Sequence, residues 1–336
     1  MTTMEKASTY KDMSILFDFD GTVGDTETPA MEVAFWELAP YFVNITPDQL
    51  DGLMPEFIRD NAGKAFEFMV ENVNKNRKEA GLCTVEEAFA AKSESKEMLD
   101  AIDPHRERFG LKTFAELRAL KEDDELPPSN ETILSLQKTE TVEALSKIAQ
   151  PCPGIKEILP ALREAGVAFC ISTTSPKPRV PASITACGLD EYFPIEKVHS
   201  GESDFTPPEF KPSPAVYLKA AKTEGKEPVN CIAVEDSGSG VGSASNAGVG
   251  LIVGYVGASH IQEDKKDEHA KMLMSGGKSK NGKGAEIVIS DMTDLLKIIE
   301  FFAGEKMDGK SAPFDFPSEL MSSLKKPVWL HGMSAV

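Results

Sequence analysis

The sequence predicts an α/β protein in which a parallel-sheet core carries an inserted helical domain. Five short, nearly all-apolar runs end in polar or glycine-rich turns, helical patterns separate the last four, and a long helical block separates the first run from the second. Apolar character over five or six residues suits strands covered on both faces. Alternation with helices suits parallel strands joined by right-handed crossovers. At 336 residues the chain is long enough for about two domains.

The first run, residues 14–20 (SILFDFD), is the expected first strand, and Gly21 lets the chain turn just beyond it. From residue 28 to 149 the texture becomes helical: MEVAFWELAPYF, FIRDNAGKAFEFMVENVNKNRKEA, TVEEAFAAKSESKEMLDAI and TILSLQKTETVEALSKIA, interrupted by the charged, proline-broken residues 121–130. Pro151 and Pro153 mark the return to the sheet, because proline disfavours helix in the residue before it. Strands are expected over residues 167–173, 231–236, 250–256 and 285–290, with helices over 181–187, 214–223, 240–247 and 262–274. Residues 275–284 (SGGKSKNGKG) read as a flexible basic loop, and after Ala303 the chain reads as irregular, with Pro313, Pro317 and Pro327 among scattered Phe, Trp and Leu. The expected division is residues 1–27 and 150–303 as an α/β catalytic core, 28–149 as a helical domain and 304–336 as an irregular C-terminal extension.

Charge and composition argue against several function classes. Thirty-six Lys+Arg face 54 Asp+Glu, a net charge of −18. Such a surface repels phosphate backbones and anionic lipids, so neither a nucleic acid nor a membrane is an expected partner. No apolar run approaches the roughly 18 residues of a membrane span. The opening residues MTTMEKASTYKDMS lack the apolar stretch of a signal peptide. Cys83, Cys152, Cys170, Cys187 and Cys231 form no C-x-x-C pair and suit a reducing compartment. A cytoplasmic location is expected, with a plastid as the alternative if a transit peptide is absent from this chain. The histidines His105, His199, His260, His269 and His331 show no zinc spacing, and Cys170 and Cys231 read as core residues of strands.

The chemistry concentrates where strands end. Side chains alternate along a strand, so Asp18 and Asp20 start on one side while Phe19 points away. Ligands of open parallel sheets bind outside the carboxyl ends of strands. Two carboxylates there are a metal site or an acid/base pair: at about 4 Å they repel by roughly 4 kcal/mol at an effective dielectric near 20, which a cation or a shared proton must offset. Another strand delivers Glu235 and Asp236 to the same kind of edge. Hard oxygen ligands without His or Cys match Mg2+. A third strand ends in Ser172, Thr173, Thr174 and Ser175, whose hydroxyls and turn amides suit an anion, and Lys211-Pro212 places a lysine ahead of a helix. Together these make a phosphoryl-transfer constellation. Gly238–Gly242 faintly matches a dinucleotide fingerprint but lacks the third glycine at the right offset. Gly277–Lys283 matches a P-loop except that Gly284 replaces its final Ser or Thr.

The order D-x-D-G-T (Asp18 to Thr22), Ser172-Thr173-Thr174-Ser175, Lys211-Pro212 and Glu235-Asp236-Ser237 resembles the four motifs of the haloacid dehalogenase-like (HAD) superfamily, over residues 14–300. The helical insertion stands where that family carries its helical cap, which points to the β-phosphoglucomutase-like, CbbY-like phosphatase branch. The resemblance implies a Rossmann-like core with an inserted α-helical cap. It implies a hydrolase of a small-molecule phosphate ester, in which Asp18 is the nucleophile, Asp20 the acid/base, Thr173 and the Thr174 amide hold phosphate oxygens and Lys211 neutralises the transferring group. Mg2+ would be held by Asp18, the Asp20 carbonyl and Asp236, with Glu235 bound directly or through water. The branch also contains sugar phosphomutases, which place a His where this chain has Ala30 and an arginine where it has Lys64. Hydrolysis of a sugar phosphate or bisphosphate is therefore the expected activity, with Lys64 and Arg59 as candidates for a second anionic group. A mutase, or a catalytically idle binding subunit using the enlarged cap or the tail as protein contacts, remains the alternative.

Overall fold

The computed structural model describes residues 10–61, 66–119 and 132–331. The chain forms two compact units, one of residues up to Asp25 and from Gln150 onward, the other from Thr26 to Ala149. The first unit opens with β1 (Ser14–Phe17) and the two-residue β2 (Gly24–Asp25). The second is entirely helical among its described residues: α1 (Glu27–Leu38), α2 (Leu50–Asn61), α3 (Phe66–Glu79), α4 (Val85–Ala90), α5 (Lys96–Arg108), α6 (Phe114–Ala119) and α7 (Ile133–Ile148).

Within the helical unit α1 is the central element. Its Ala30, Met31, Val33, Ala34, Phe35 and Trp36 are all buried, as in a helix that is apolar on nearly every side, and α2 and α7 pack on it. Complete burial of Phe35 contributes about 1.5–3 kcal/mol. Trp36 stacks on His105 at 3.7 Å between ring centres. Capping sets the helix starts: the Thr84 hydroxyl accepts from the Glu87 amide and the Ser95 hydroxyl from the Met98 amide. Among its described residues the same unit buries four charged side chains, Glu37, Arg77, Arg106 and Glu140. Arg106 donates to Glu140 and to the Lys112 carbonyl, and its guanidinium lies over the Phe114 ring at 4.3 Å.

The chain re-enters the first unit at β3 (Gln150–Pro151), which pairs antiparallel with β2, so exit and return lie side by side. There follow α8 (Ile155–Ala165), β4 (Ala168–Thr173), α9 (Arg179–Cys187), β5 (Val198–Ser200), α10 (Ala215–Thr223), β6 (Cys231–Glu235), α11 (Gly238–Asn246), β7 (Leu251–Tyr255), α12 (Lys266–Met274), β8 (Ile287–Ile289), α13 (Leu295–Met307), α14 (Ser318–Ser323) and β9 (Val328–Leu330). The sheet runs in the order β5-β4-β1-β6-β7-β8-β9, parallel except for β9. Ser14 stands between Ala168 and Cys231, and Phe17 between Ile171 and Val234. That register brings the carboxyl ends of β1, β4 and β6 to one edge. Phe17, Phe169 and Phe193 pack edge-on beneath the strands.

The strands are shorter than the apolar runs that announce them. β1 stops at Phe17, so Asp18 and Asp20 lie just past it, in a turn in which the Val23 and Gly24 amides donate to the Phe19 carbonyl. The stretch after residue 303 also departs from the irregular reading. α13 continues to Met307, α14 follows, and β9 adds an antiparallel edge strand to β8, with Trp329 donating to Asp267 at 2.7 Å.

Candidate active site

Four of the sequence-predicted residues meet at the carboxyl edge of β1 and β6. The Asp18 amide donates to the Val234 carbonyl at 3.0 Å, continuing the sheet for one residue and fixing the buried Asp18 side chain beside β6. Lys211, on the loop before α10, buries its ammonium between Asp18 Oδ1 at 2.5 Å and Glu235 Oε1 at 2.6 Å. The Tyr217 hydroxyl of α10 donates to the same Glu235 oxygen at 2.5 Å. Asp236 receives the Thr22 hydroxyl at 3.4 Å and His260 Nε2 at 3.3 Å, while His269 Nε2 donates to its carbonyl at 2.6 Å. Two glycines make the close approach possible. Gly21 has φ +81°, and a Cβ there would strike the Asp236 carboxylate; a Cβ on Gly240 would strike that of Glu235.

Asp20 is held apart from this cluster. Its Oδ2 accepts from the Ser175 hydroxyl at 2.5 Å and its Oδ1 pairs with Arg179 Nη2 at 2.6 Å. Thr173 closes β4, and its hydroxyl accepts from the Ser175 amide at 3.0 Å, leaving its own proton to donate to a ligand. Thr174 follows, half-buried. Arg59 is an exposed residue of α2, paired with Asp60 at 3.0 Å and Glu56 at 3.5 Å. Lys64 lies outside the described residues.

The electrostatics are those of a buried cluster of carboxylates. Burial pushes the Asp18 carboxyl up to about 8; the Lys211 charge opposes this, and those of Glu235 and Asp20 add to it. Burial also works against the Lys211 ammonium, but Asp18 and Glu235 outweigh it and hold the lysine above its ordinary range. Burial, with His269 adding, takes His260 down to about 4, so a neutral ring faces Asp236. Among the described residues, Lys211 pairs with Asp18 and Glu235, and Arg179 with Asp20. Asp18, Glu235 and Asp236 each bring a carboxylate oxygen within 4.8 Å of the others. A set of three carboxylates offering only oxygen donors fits Mg2+.

Sequence reasoning did not single out Arg179, Tyr217, His260 or His269 for this site. Arg179 and His260 each follow a strand's carboxyl end within a few residues, which is a signal available in the sequence. Tyr217 reaches Glu235 from the first turn of α10, and no local pattern announces it.

Among curated proteins the chain is similar to protein CbbY of Rhodobacter capsulatus, 31% identical over 130 residues, which are 38% of this chain and 56% of that protein. It is also similar to a probable pseudouridine-5'-phosphatase of Drosophila melanogaster, 31% identical over 168 residues, 49% of this chain and 71% of that one. The chain therefore spans little more than half of the first relative's length. A conserved haloacid dehalogenase-like protein of unknown function from Agrobacterium tumefaciens shares the fold, with a TM-score of 0.55 at 24% identity over 87% of this chain and 99% of that one. Residues 13–248 match the family model of haloacid dehalogenase-like hydrolases, and the chain belongs to that family.

Proposed function

We propose that the protein is a Mg2+-dependent phosphatase that hydrolyses a small phosphorylated metabolite, a sugar phosphate or bisphosphate, through an aspartyl-phosphate. The observation that carries the reading is the Asp18–Lys211–Glu235 bridge beside Asp236, with Asp20 held separately by Ser175 and Arg179. A nucleophilic carboxylate needs a cation beside it to neutralise the group it attacks, and Lys211 stands against Asp18. The sugar-like substrate class is supported by the activity for which the Drosophila relative is named.

In the first step a carboxylate oxygen of Asp18 attacks phosphorus, the bond from phosphorus to the leaving oxygen breaks, and Asp20 gives that oxygen a proton. In the second, Asp20 takes a proton from water, the water oxygen attacks phosphorus, and the bond to Asp18 breaks to release phosphate. Lys211 neutralises the transferring group, and the Thr173 hydroxyl and Thr174 amide hold its oxygens. Both Asp20 oxygens are occupied, so Asp20 exchanges its Arg179 or Ser175 contact before it serves as acid. When bound, Mg2+ on Asp18, Asp236 and the Asp20 carbonyl, with Glu235 adjacent, supplies charge compensation for phosphoryl oxygens. Lys64 is proposed as a contact for a second phosphate.

The test is phosphate release from a panel of sugar phosphates and bisphosphates, including pseudouridine 5'-phosphate, with Mg2+ or EDTA. Release that requires Mg2+ and falls by about 10^4-fold or more in Asp18→Asn supports the reading. Isomerisation of a sugar phosphate without phosphate release indicates the mutase. Silence from folded protein indicates an idle subunit.

A further inference from the structure

Four of the five cysteines are buried, and one of them, Cys170, has company that the sequence does not show. Cys170 sits in the middle of β4, and Ser172 of the same strand pairs in register with His199 of β5. Alternation puts Cys170 and Ser172, and therefore His199, on one face of the sheet. α10 packs on β4 and β5, and Glu224 caps its carboxyl end. The Cys170 sulfur, an imidazole nitrogen of His199 and a Glu224 carboxylate oxygen lie within 4.8 Å of one another. His199 is 3% exposed, and its Nε2 has no hydrogen-bond partner among the described residues. A buried polar atom left without a partner is rare enough to need an explanation.

We propose that Cys170, His199 and Glu224 form a zinc site, separate from the acidic cluster at the ends of β1 and β6. One thiolate, one imidazole and one carboxylate are a borderline-soft donor set that suits zinc and leaves a fourth tetrahedral position for water. Donors around such an ion stand about 3.4–3.8 Å apart, so the three side chains, now within 4.8 Å of one another, draw together on binding. Burial already holds the His199 imidazole at about 4, which keeps its ring neutral and its lone pair available. On binding, the Cys170 thiol releases its proton to solvent. Glu224 gives up Lys197, whose Nζ now holds its two oxygens at 2.7 and 2.6 Å. Lys197 is 37% exposed and has water to move into. Mg2+ does not compete for a thiolate, so the two sites sort their ions by ligand type.

The test is a Co2+ titration of the full chain, stripped with chelator, in excess Mg2+. One equivalent is expected to produce the near-ultraviolet thiolate-to-cobalt charge-transfer band, and one equivalent of Zn2+ to abolish it. The band should vanish in Cys170→Ser and survive in Cys83→Ser, which removes the exposed thiol. Glu224→Gln should keep the band but weaken binding at least about tenfold, since losing a direct ligand costs no less than losing an outer-shell partner. No band from folded wild-type protein, or a band that persists in Cys170→Ser, overturns the site. If Cys170→Ser does not fold, zinc-edge absorption of the wild-type protein decides the question: one sulfur at about 2.3 Å supports the site, and a shell of only nitrogen and oxygen refutes it.

Discussion

Replacing Glu37 by glutamine is expected to stabilise the protein at neutral and alkaline pH and to flatten its pH dependence. Glu37 is fully buried, and neither of its oxygens finds a hydrogen-bond donor among the described residues. Burial pushes its carboxyl well above the ordinary range, the Glu140 charge adds to the rise, and Arg106 opposes it. The folded state therefore keeps Glu37 protonated at pH values where the unfolded chain has released that proton. Below about pH 4.5 both states hold the proton and nothing is lost. As pH rises toward the elevated folded value, stability falls by about 1.4 kcal/mol per unit. Glutamine carries no proton to lose. Its amide still presents a donor to Glu140, as the protonated Glu37 carboxyl does. Urea denaturation of both proteins at pH 5 and pH 8 reads the difference. The gap in favour of Glu37→Gln should widen between the two. A constant gap, or a variant less stable at pH 8, would refute a buried protonated Glu37.

Glu286 should act the same way in the α/β unit. Burial raises its carboxyl to about 7, so its stability contribution is present below pH 4.5 and lost as pH rises through 7, about 3 kcal/mol in total. Glu286→Gln keeps an acceptor for the Ile252 amide, and a melting temperature that rises above the wild-type value at pH 8 but not at pH 4.5 checks it. Gly21→Ala forces a side chain into a left-handed backbone, costing about 1–2 kcal/mol, and drives a methyl group against Asp236 and His260. Turnover should fall far more than that loss of stability explains, and unchanged turnover would place Asp236 outside the reaction.

The parts legible in the sequence are those encoded by local periodicity. The apolar runs ending in Asp18, Thr173 and Asp236 are continuous in sequence, and parallel pairing alone then gathers their ends. β5 is three residues, Val198-His199-Ser200, too short to rise above its surroundings, and β9 hides in a proline-rich tail because its pairing with β8 is long-range. The contacts of Tyr217 with Glu235 and of His260 with Asp236 depend on how a helix and a loop dock, which no spacing records. The same holds for the cluster of Cys170, His199 and Glu224, whose members come from three separate elements.

The pairing of β2 with β3 also bears on how the helical unit could have been acquired. Asp25 and Gln150 are directly opposed across that ribbon, which places their Cα atoms about 5 Å apart. Thermodynamically, everything from Thr26 to Ala149 is an elaborated hairpin loop. The entropy of bringing its ends together grows only with the logarithm of its length, by about 0.6 kcal/mol per doubling. Inserting, enlarging or exchanging helices between those two residues therefore leaves the ledger of the α/β unit almost untouched, so the helical unit is free to diverge in length and sequence while the sheet keeps its register.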